Sequence, residues 1–298
     1  MVSAPTGLSP AIREFNLERY VLDLEVDGLT VVPPEVHGVP MERFDAMVNL
    51  LLKRAEELVG CAFNLDKGPC SEVEFPPDPN TLAAMSGEHG PASQFLIQRL
   101  ASYHRVFRDL AVNPVAVALI RHLVGERATH FSSHNSFVKW QGDFGYGKGL
   151  GLHADQTAMP LPWGPRALTA NANWCLTDYT KEGGAFAWVP GSHRKGTRPV
   201  QSRAAQKAIS VEARKGSLLV FHGATWHGAY PRLIPGMRLS IANYYRHAMV
   251  TSQEDIQGSF DQALADDCDD PDLFRALAGF GDEFPYVEPN QPIPSALG

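Results

Sequence analysis

Residues 217–240 read SLLVFHGATWHGAYPRLIPGMRLS, and the rest of the chain is best interpreted outward from them. The apolar run Ser217–Phe221 predicts a buried strand, and His227 begins a second short strand after a turn of small residues. The segment Tyr230–Gly236 contains two prolines and a glycine, which is typical of a turn. We therefore expect His227 and Arg238 to lie on neighbouring antiparallel strands that face the same interior.

The surrounding region, residues 131–247, continues this pattern. Short alternating or β-branched runs such as HNSFVKW, ALTANANWCLTD and GAFAWVP are separated by clusters of glycine and proline. Roughly eight such runs at this close spacing are typical of a β-barrel or a β-sandwich. The 26 glycines and 23 prolines of the chain also favour many turns over a helical bundle.

The region before it, residues 1–130, is predicted to be mostly helical. Apolar residues in 41–59 have the spacing of one helix face, and Gly28–Pro33 predicts a short strand. A further helical pattern over 91–124 is broken at Pro114. The fold class predicted from these textures is mainly β with flanking helices (α+β).

The composition excludes several classes of protein. The net charge of −7 contains no long block of either sign, so neither nucleic acid nor an anionic membrane is an expected partner. The four cysteines show no C-x-x-C spacing, which argues against a zinc knuckle or a redox pair. No signal peptide and no apolar run of about 18 residues is visible, so we expect a soluble, cytoplasmic protein. In the acidic and then Pro-rich tail, 248–298, Asp270-Pro271 predicts the start of a short helix.

A candidate metal site begins with Leu152–Gln156, which reads LHADQ. On a strand, residues two apart point to the same side, so His153 and Asp155 can offer an imidazole and a carboxylate to one point. Two histidines and one carboxylate leave positions open for a co-substrate and O2, which suits non-haem iron(II). An H-x-D pair alone is weak evidence, because a His beside an Asp is more often a hydrogen-bonded pair.

The second histidine must come from far along the chain. The candidates are His193, His222, His227 and His247, and we choose His227 because Arg238 follows it by eleven residues. His222 remains the main rival ligand. Arg238 and Ser240 share a strand face, and the arginine fork can hold a carboxylate by two hydrogen bonds. The distal carboxylate of 2-oxoglutarate would supply that partner, although a structural Asp or Glu is the alternative.

Taken together, these residues resemble the phytanoyl-CoA dioxygenase family over roughly residues 20–247. The segments that carry the resemblance are DGLTVVPP, the H-x-D of HAD, EGGAFAWVPGSHRKG, and TWHG followed by the arginine. The resemblance implies a double-stranded β-helix (a cupin-like jelly roll), Fe(II), 2-oxoglutarate and O2, with release of succinate and CO2. It also places Asn135 and Asn173 where the family has further co-substrate contacts. Asn173 departs from some members, which have an aromatic residue there.

The strand that carries Asn173 has two different faces. Leu168, Ala170, Ala172, Trp174 and Leu176 form an apolar face, and the opposite face carries Thr169, Asn171, Asn173 and Cys175. We expect the polar face to point into the cavity, and the alternative is that it is exposed to solvent.

We therefore expect one oxygenase domain over residues 1–298, with a helical support (1–130), a β core (131–247) and a tail (248–298) that is a candidate lid. The expected reaction is hydroxylation of an unactivated C–H bond in a small-molecule metabolite, by a monomer or homodimer. Desaturation, epimerisation and ring closure stay open, whereas halogenation is disfavoured because Asp155 is present. The alternatives are a cupin-type metalloenzyme that does not use 2-oxoglutarate, or a non-catalytic ligand-binding β-barrel.

Overall fold

The computed structural model describes residues 8–73, 82–84, 93–142 and 149–280. The strands in these ranges are β1 (Leu29–Val32), β2 (Phe63–Asn64), β3 (Gly68–Pro69), β4 (Leu82–Ala84), β5 (Gln94–Ile97), β6 (Thr129–Gly142), β7 (Thr169–Cys175), β8 (Phe186–Trp188), β9 (Ile209–Ser210), β10 (Leu218–His222), β11 (His227–Ala229) and β12 (Arg232–His247). The helices are α1 (Pro10–Glu14), α2 (Glu18–Val26), α3 (Pro34–His37), α4 (Met41–Val59), α5 (Leu100–Tyr103), α6 (Arg105–Ala111), α7 (Pro114–Val124), α8 (Gln201–Ala204), α9 (Ile256–Ser259) and α10 (Pro271–Ala278). Each of these helices is too short or too polar to cross a membrane.

Two antiparallel sheets form the centre of the fold. The larger has the strand order β1-β10-β7-β12-β6-β5-β4, the smaller has the order β11-β8-β9, and β2 and β3 form a separate hairpin. One cavity is lined by Asn171 and Arg238 from the larger sheet and by Phe186 and His227 from the smaller sheet. Two antiparallel sheets that enclose a cavity make a double-stranded β-helix. The predicted fold, mainly β with flanking helices, is therefore confirmed.

Strand β7 shows how the sequence separates the two faces of the larger sheet. Ala170, Ala172 and Trp174 belong to the main hydrophobic core, while Asn171 and Asn173 line the cavity. Successive side chains of a strand point to opposite sides, so alternating apolar and amide residues place polar groups inside the cavity. The prediction that the polar face of this strand points into the cavity is therefore confirmed for Asn171 and Asn173, whereas Cys175 packs in a second hydrophobic cluster.

The apolar face of the larger sheet is covered by helices. Helix α7 packs against β7 and β10, and the ring of Phe44 in α4 lies 6.2 Å from that of Trp174. Helix α4 occupies the predicted range, because its buried residues recur every three or four positions: Phe44, Met47, Val48, Leu51 and Ala55.

The helical pattern predicted over 91–124 is wrong at its start, whereas its break at Pro114 is confirmed, because α6 ends at Ala111 before α7 begins. Residues Gln94–Ile97 form strand β5, which pairs with β6, and Pro114 begins helix α7. A four-residue apolar run cannot be assigned to a helix or a strand by periodicity alone. Proline suits the first helical position, where its missing N–H is not needed, and the Asn113 side chain caps the helix by accepting from the Ala116 N–H.

His227 and Arg238 lie in different sheets, which corrects the expectation that their strands are neighbours. Strand β11 pairs with β8, whereas β12 lies between β6 and β7. Pro235 and Gly236 of the predicted turn instead lie in a register irregularity between Arg232 and Met237, where proline cannot donate to the ladder. Both side chains still face one interior, because the two sheets face each other across the cavity.

The C-terminal segment, described as far as residue 280, packs against the helical layer and against β6. The buried Arg108 donates Nη2–H to Asp267 Oδ2 (2.7 Å) and Nε–H to the Asp267 carbonyl (3.0 Å). Helix α10 begins as predicted, with the Asp270 side chain accepting from the Leu273 N–H. The Glu254 N–H donates to the Ser132 carbonyl (2.8 Å), which brings the neighbouring Gln253 to the cavity wall.

Candidate metal centre

Three side chains from two distant parts of the chain converge at the cavity. Ligand atoms of His153, Asp155 and His227 all lie within 4.8 Å of one another. Asp155 Oδ1 is 3.6 Å from Nε2 of His153 and 3.6 Å from Nε2 of His227. Among the described residues this is the one group of three or more His, Cys, Asp or Glu side chains close enough to share a metal ion.

Backbone pairing brings the two histidines together. The His153 N–H donates to the His227 carbonyl and the His227 N–H to the His153 carbonyl, both at 2.8 Å. The neighbouring Gly228 has no side chain that would collide with the Leu150 carbonyl, so the two segments can approach closely. His153 and His227 therefore meet through an isolated antiparallel bridge between two segments that are distant in the sequence.

Asp155 does not lie on a strand, contrary to the assumption behind the H-x-D argument. It begins a 3-10 turn, Asp155–Ala158, in which the Gln156 N–H donates to the Gly223 carbonyl (3.1 Å). The Gln156 side chain in turn accepts from the Leu168 N–H (2.6 Å). The turn still directs the carboxylate to the same point as His153, because side chains two apart can also converge when the chain bends back.

Each imidazole is oriented by a backbone carbonyl. His153 Nδ1 lies 2.9 Å from the Gly151 oxygen, and His227 Nδ1 lies 2.9 Å from the Thr225 oxygen. A carbonyl can only accept, so Nδ1 donates and Nε2 keeps its lone pair for a metal. Burial lowers the pKa of His227 to about 4, which keeps the ring in the neutral, ligating form at neutral pH. The Phe186 ring stacks on the His227 imidazole, with 5.1 Å between the ring centroids and 9° between the ring planes.

The cavity beside this centre has a volume of about 310 Å³. It contains every side chain that the sequence predicted for the site: His153, Asp155, His227, Arg238, Ser240, Asn135 and Asn173. His222 and His193 are not among its lining residues; they line a different recess, where their rings lie 5.3 Å apart. His222 therefore does not join the other three, although it lies only five residues from His227.

Arg238 is buried beside the predicted ligands, and no carboxylate of the described residues pairs with it. Its side chain is 4% exposed, its Nε has no hydrogen-bond partner, and it forms no ion pair with a carboxylate in the described part of the chain. The nearby Arg232 differs, because its guanidinium donates to the carbonyls of Gly236, Gly183 and Pro235. A buried guanidinium without a counter-charge is costly, so this end of the cavity suits a bound carboxylate.

A buried lysine lies close to Arg238 at this end of the cavity. Lys139 is fully buried opposite Arg238 in the register of β6 and β12 and donates from Nζ to the Tyr230 carbonyl (2.5 Å). Burial, together with the charges of Arg238 and Arg232, holds the pKa of Lys139 well below its usual range. The charges of Arg238 and Arg232 thus disfavour protonation of Lys139, and an anion bound beside Arg238 would offset that repulsion.

Tyr179 is a site residue that the sequence analysis missed. It is buried, lines the cavity, and has its ring 5.3 Å from the Arg238 guanidinium carbon. Burial raises the pKa of Tyr179 to about 12, so the hydroxyl stays protonated and can donate to a carboxylate. No periodic pattern marks it, because it follows the end of β7 in a connecting segment.

Glu254 links the C-terminal segment to the cavity. Its Oε1 accepts from the N–H groups of Arg99 (2.9 Å) and His134 (3.2 Å) and lies 3.0 Å from the amide nitrogen of Asn135 in the amide orientation that satisfies both groups. Burial raises the pKa of Glu254 to about 7 from an ordinary 4.5. The carboxyl group thus titrates near neutral pH in the folded protein.

This shift predicts a pH-dependent stability that Glu254→Gln removes. Because the pKa of Glu254 is higher in the folded state than in the unfolded state, the protonated carboxyl contributes to the free energy of unfolding. This contribution is complete below about pH 4.5 and is lost as the pH rises through about 7. Glutamine keeps an acceptor oxygen and cannot ionise, so we expect the variant to gain on the order of 1 kcal/mol in unfolding free energy at pH 8 and almost nothing at about pH 4, below the unfolded pKa. Urea denaturation at both pH values measures this, with the exposed Glu18→Gln as control. An equal change at both pH values would contradict it.

The donor set fits the group that the sequence predicted. Two imidazoles and one carboxylate provide three protein ligands and leave positions open, as non-haem iron(II) requires. The unpaired Arg238 in the same cavity fits the distal carboxylate of a keto acid.

Comparison with known proteins points in the same direction. The family model described as phytanoyl-CoA dioxygenase matches residues 46–239. A curated relative, the dioxygenase af480 of Aspergillus fumigatus, is 33% identical over 135 residues, which are 45% of this chain and 41% of the relative. The match thus spans less than half of either protein.

Solved structures share the fold at lower identity. The epimerase SnoN from nogalamycin biosynthesis, described as non-haem and alpha-ketoglutarate dependent, has a TM-score of 0.56 and 18% identity, over 82% of this chain and 90% of that one. HygX from Streptomyces hygroscopicus, solved with nickel and 2-oxoglutarate, has a TM-score of 0.55 and 17% identity, over 79% and 88%. Further structures of these two proteins hold nogalamycin RO and hygromycin B.

Proposed function

The chain belongs to the phytanoyl-CoA dioxygenase family, and from that membership we propose that it is an iron(II)- and 2-oxoglutarate-dependent oxygenase that hydroxylates an unactivated C–H bond of a small-molecule metabolite. The observation that carries the proposal is the convergence of His153, Asp155 and His227 within 4.8 Å in the same cavity as Arg238, which forms no ion pair among the described residues. Iron(II) with 2-oxoglutarate and O2 supplies the oxidising chemistry when bound, with succinate and CO2 as by-products.

The residues of the chain bind and orient the reactants. His153, Asp155 and His227 hold the metal. Arg238 binds the distal carboxylate of 2-oxoglutarate by paired N–H donors, and Ser240 on the same strand face donates its hydroxyl to the same group. Holding the co-substrate at both ends orients its keto acid toward the metal, which lowers the entropic part of the barrier.

The remaining wall of the cavity serves the co-substrate and the substrate. Asn135 and Asn173 offer neutral amide groups, and Tyr179 offers a hydroxyl beside the arginine. Aromatic side chains from both sheets exclude water from the centre: Phe137, Phe186 and Phe221. Gln253 brings the C-terminal segment into the wall, which supports a single domain that includes the described part of the tail, 248–280. The role of a lid for the tail stays a prediction.

Hydroxylation is the first candidate among several outcomes. SnoN is an epimerase, so a centre on this fold is not restricted to hydroxylation. The carboxylate of Asp155 occupies the position that would have to be vacant to admit a halide, which disfavours halogenation. A cupin-type enzyme that does not use 2-oxoglutarate, or a non-catalytic barrel, would leave the buried Arg238 without a counter-charge.

The substrate is proposed to be a small molecule. The cavity of about 310 Å³ must hold both 2-oxoglutarate and the reacting part of the substrate. The related structures hold nogalamycin RO and hygromycin B, which are small molecules rather than polymers.

Two measurements test the proposed function. Anaerobic Fe(II) and 2-oxoglutarate should together give a weak visible charge-transfer band, and a screen of candidate metabolites should release succinate in the presence of O2. Asp155→Ala is the control and is expected to lose coupled turnover. Metal binding without the band would favour the cupin alternative, and a failure to bind metal would favour the non-catalytic barrel.

A further inference from the structure

Three residues on neighbouring strands of the larger sheet each contact the candidate metal centre. In the strand register Asn171 of β7 lies between Phe221 of β10 and Tyr244 of β12. The Phe221 ring is 4.8 Å from the ring of His227, and the Tyr244 hydroxyl donates to the Asp155 carbonyl (3.4 Å). Asn171, in the middle of this row, donates from Nδ2 to Asp155 Oδ2 at 2.5 Å.

The two oxygens of Asp155 therefore have different neighbours. Oδ2 accepts from the amide of Asn171, while Oδ1 faces Nε2 of both histidines at 3.6 Å. An ionised carboxylate can only accept, so it is the amide nitrogen of Asn171 that faces it. Only one oxygen of the carboxylate is left directed at the position that a metal would take.

The support for Asp155 is more rigid than Asp155 itself. Asn171 is 6% exposed on a strand that is paired on both sides, whereas Asp155 lies on a short 3-10 turn with 17% of its side chain exposed. A carboxylate on such a turn would sample several rotamers without a fixed donor, and ordering it would then oppose metal binding.

We propose that Asn171 is a positioning residue that holds the Asp155 carboxylate with one oxygen toward the metal and the other retained by the sheet. The inference rests on the proposed function, because it takes Asp155 as a ligand. It separates Asn171 from Asn173, two residues later on the same face, which has no hydrogen bond to Asp155 among the described contacts. Outer partners of metal ligands typically contribute a factor of about 10 to 100 in metal affinity.

The test is calorimetric titration of the metal-free protein with Ni(II), a redox-stable probe for the iron site, without 2-oxoglutarate. Asn171→Leu keeps the shape of the side chain and removes the donor, and we expect it to bind Ni(II) about 10 to 100 times more weakly than the wild type. Asn171→Ala serves the same purpose if the leucine variant does not fold.

The matched control is Asn243→Leu. Asn243 is also a fully buried asparagine of the larger sheet, but it faces the helical layer, where it accepts from Trp174 Nε1–H (3.1 Å) and donates to His134 Nε2 (3.2 Å). This variant should lose thermal stability and keep its Ni(II) affinity within about twofold, so it separates destabilisation from loss of positioning.

Two results would overturn the inference. One is Ni(II) affinity within about twofold of the wild type in a folded Asn171 variant, and the other is an equal loss in the Asn243 control. A wild-type protein that binds no Ni(II) would instead refute the proposed function, so the two failures are distinguishable.

Discussion

His227→Gln should bind Ni(II) at least about 100 times more weakly than the wild type, whereas His222→Gln should bind it within about twofold. The two histidines form a matched pair, since both are buried, they lie five residues apart, and both have lowered pKa values caused by burial. Of these two histidines, only His227 has its Nε2 near the Asp155 carboxylate, at 3.6 Å from Oδ1. Removing one of three metal ligands should reduce metal affinity more than removing an outer hydrogen-bond partner of a ligand, which reduces it about 10- to 100-fold.

The measurement is titration calorimetry on both metal-free variants, with thermal unfolding as a check that each is folded. Glutamine can replace the one hydrogen bond that His222 Nδ1 accepts, from the Ala224 N–H (3.0 Å), so this control should fold. Comparable weakening in the two variants would mean that the metal does not bind at the proposed centre. Weakening in His222→Gln alone would make it the ligand instead.

Arg238→Leu should weaken 2-oxoglutarate binding by roughly 30- to 3,000-fold, because truncating one partner of a buried, hydrogen-bonded charge pair costs about 2–5 kcal/mol. Arg238 forms no ion pair within the described ranges, so its guanidinium is available to the co-substrate. The same variant should bind Ni(II) like the wild type, since it removes no metal ligand. Titration of the Fe(II) protein with 2-oxoglutarate, followed by the visible band, measures the loss.

Arg238→Lys is the matched control for this second prediction. Lysine keeps the charge and loses the planar fork, so we expect an intermediate loss of about tenfold. If Arg238→Leu bound 2-oxoglutarate as tightly as the wild type, the co-substrate would have to be anchored elsewhere, and the buried arginine would have a structural role.

Much of the candidate site could be predicted because its signals are local. The H-x-D pair, the distal histidine and the arginine eleven residues later are spacings within short segments. The two-residue period of β7 likewise assigned its amides to the cavity, and the three- and four-residue spacing in α4 gave both of its ends. Each of these features depends on a residue and its near neighbours.

Other features depend on which segments pair, and these could not be predicted. The H-x-D spacing predicts a shared strand, whereas His153 forms an isolated bridge with His227 and Asp155 begins a 3-10 turn. His227 and Arg238 were expected on adjacent strands and lie in facing sheets. Tyr179 and Gln253 reach the cavity from segments without a periodic pattern.

The sequence by itself determined the class of fold and the residue types of the candidate metal centre and its buried arginine, because hydrophobic period and side-chain chemistry are properties of short stretches. Only the tertiary structure decided that His222 is excluded from the centre and that Asn171, rather than Asn173, contacts Asp155. Strand order and sheet twist determine which distant side chains meet, and no local run of residues specifies either.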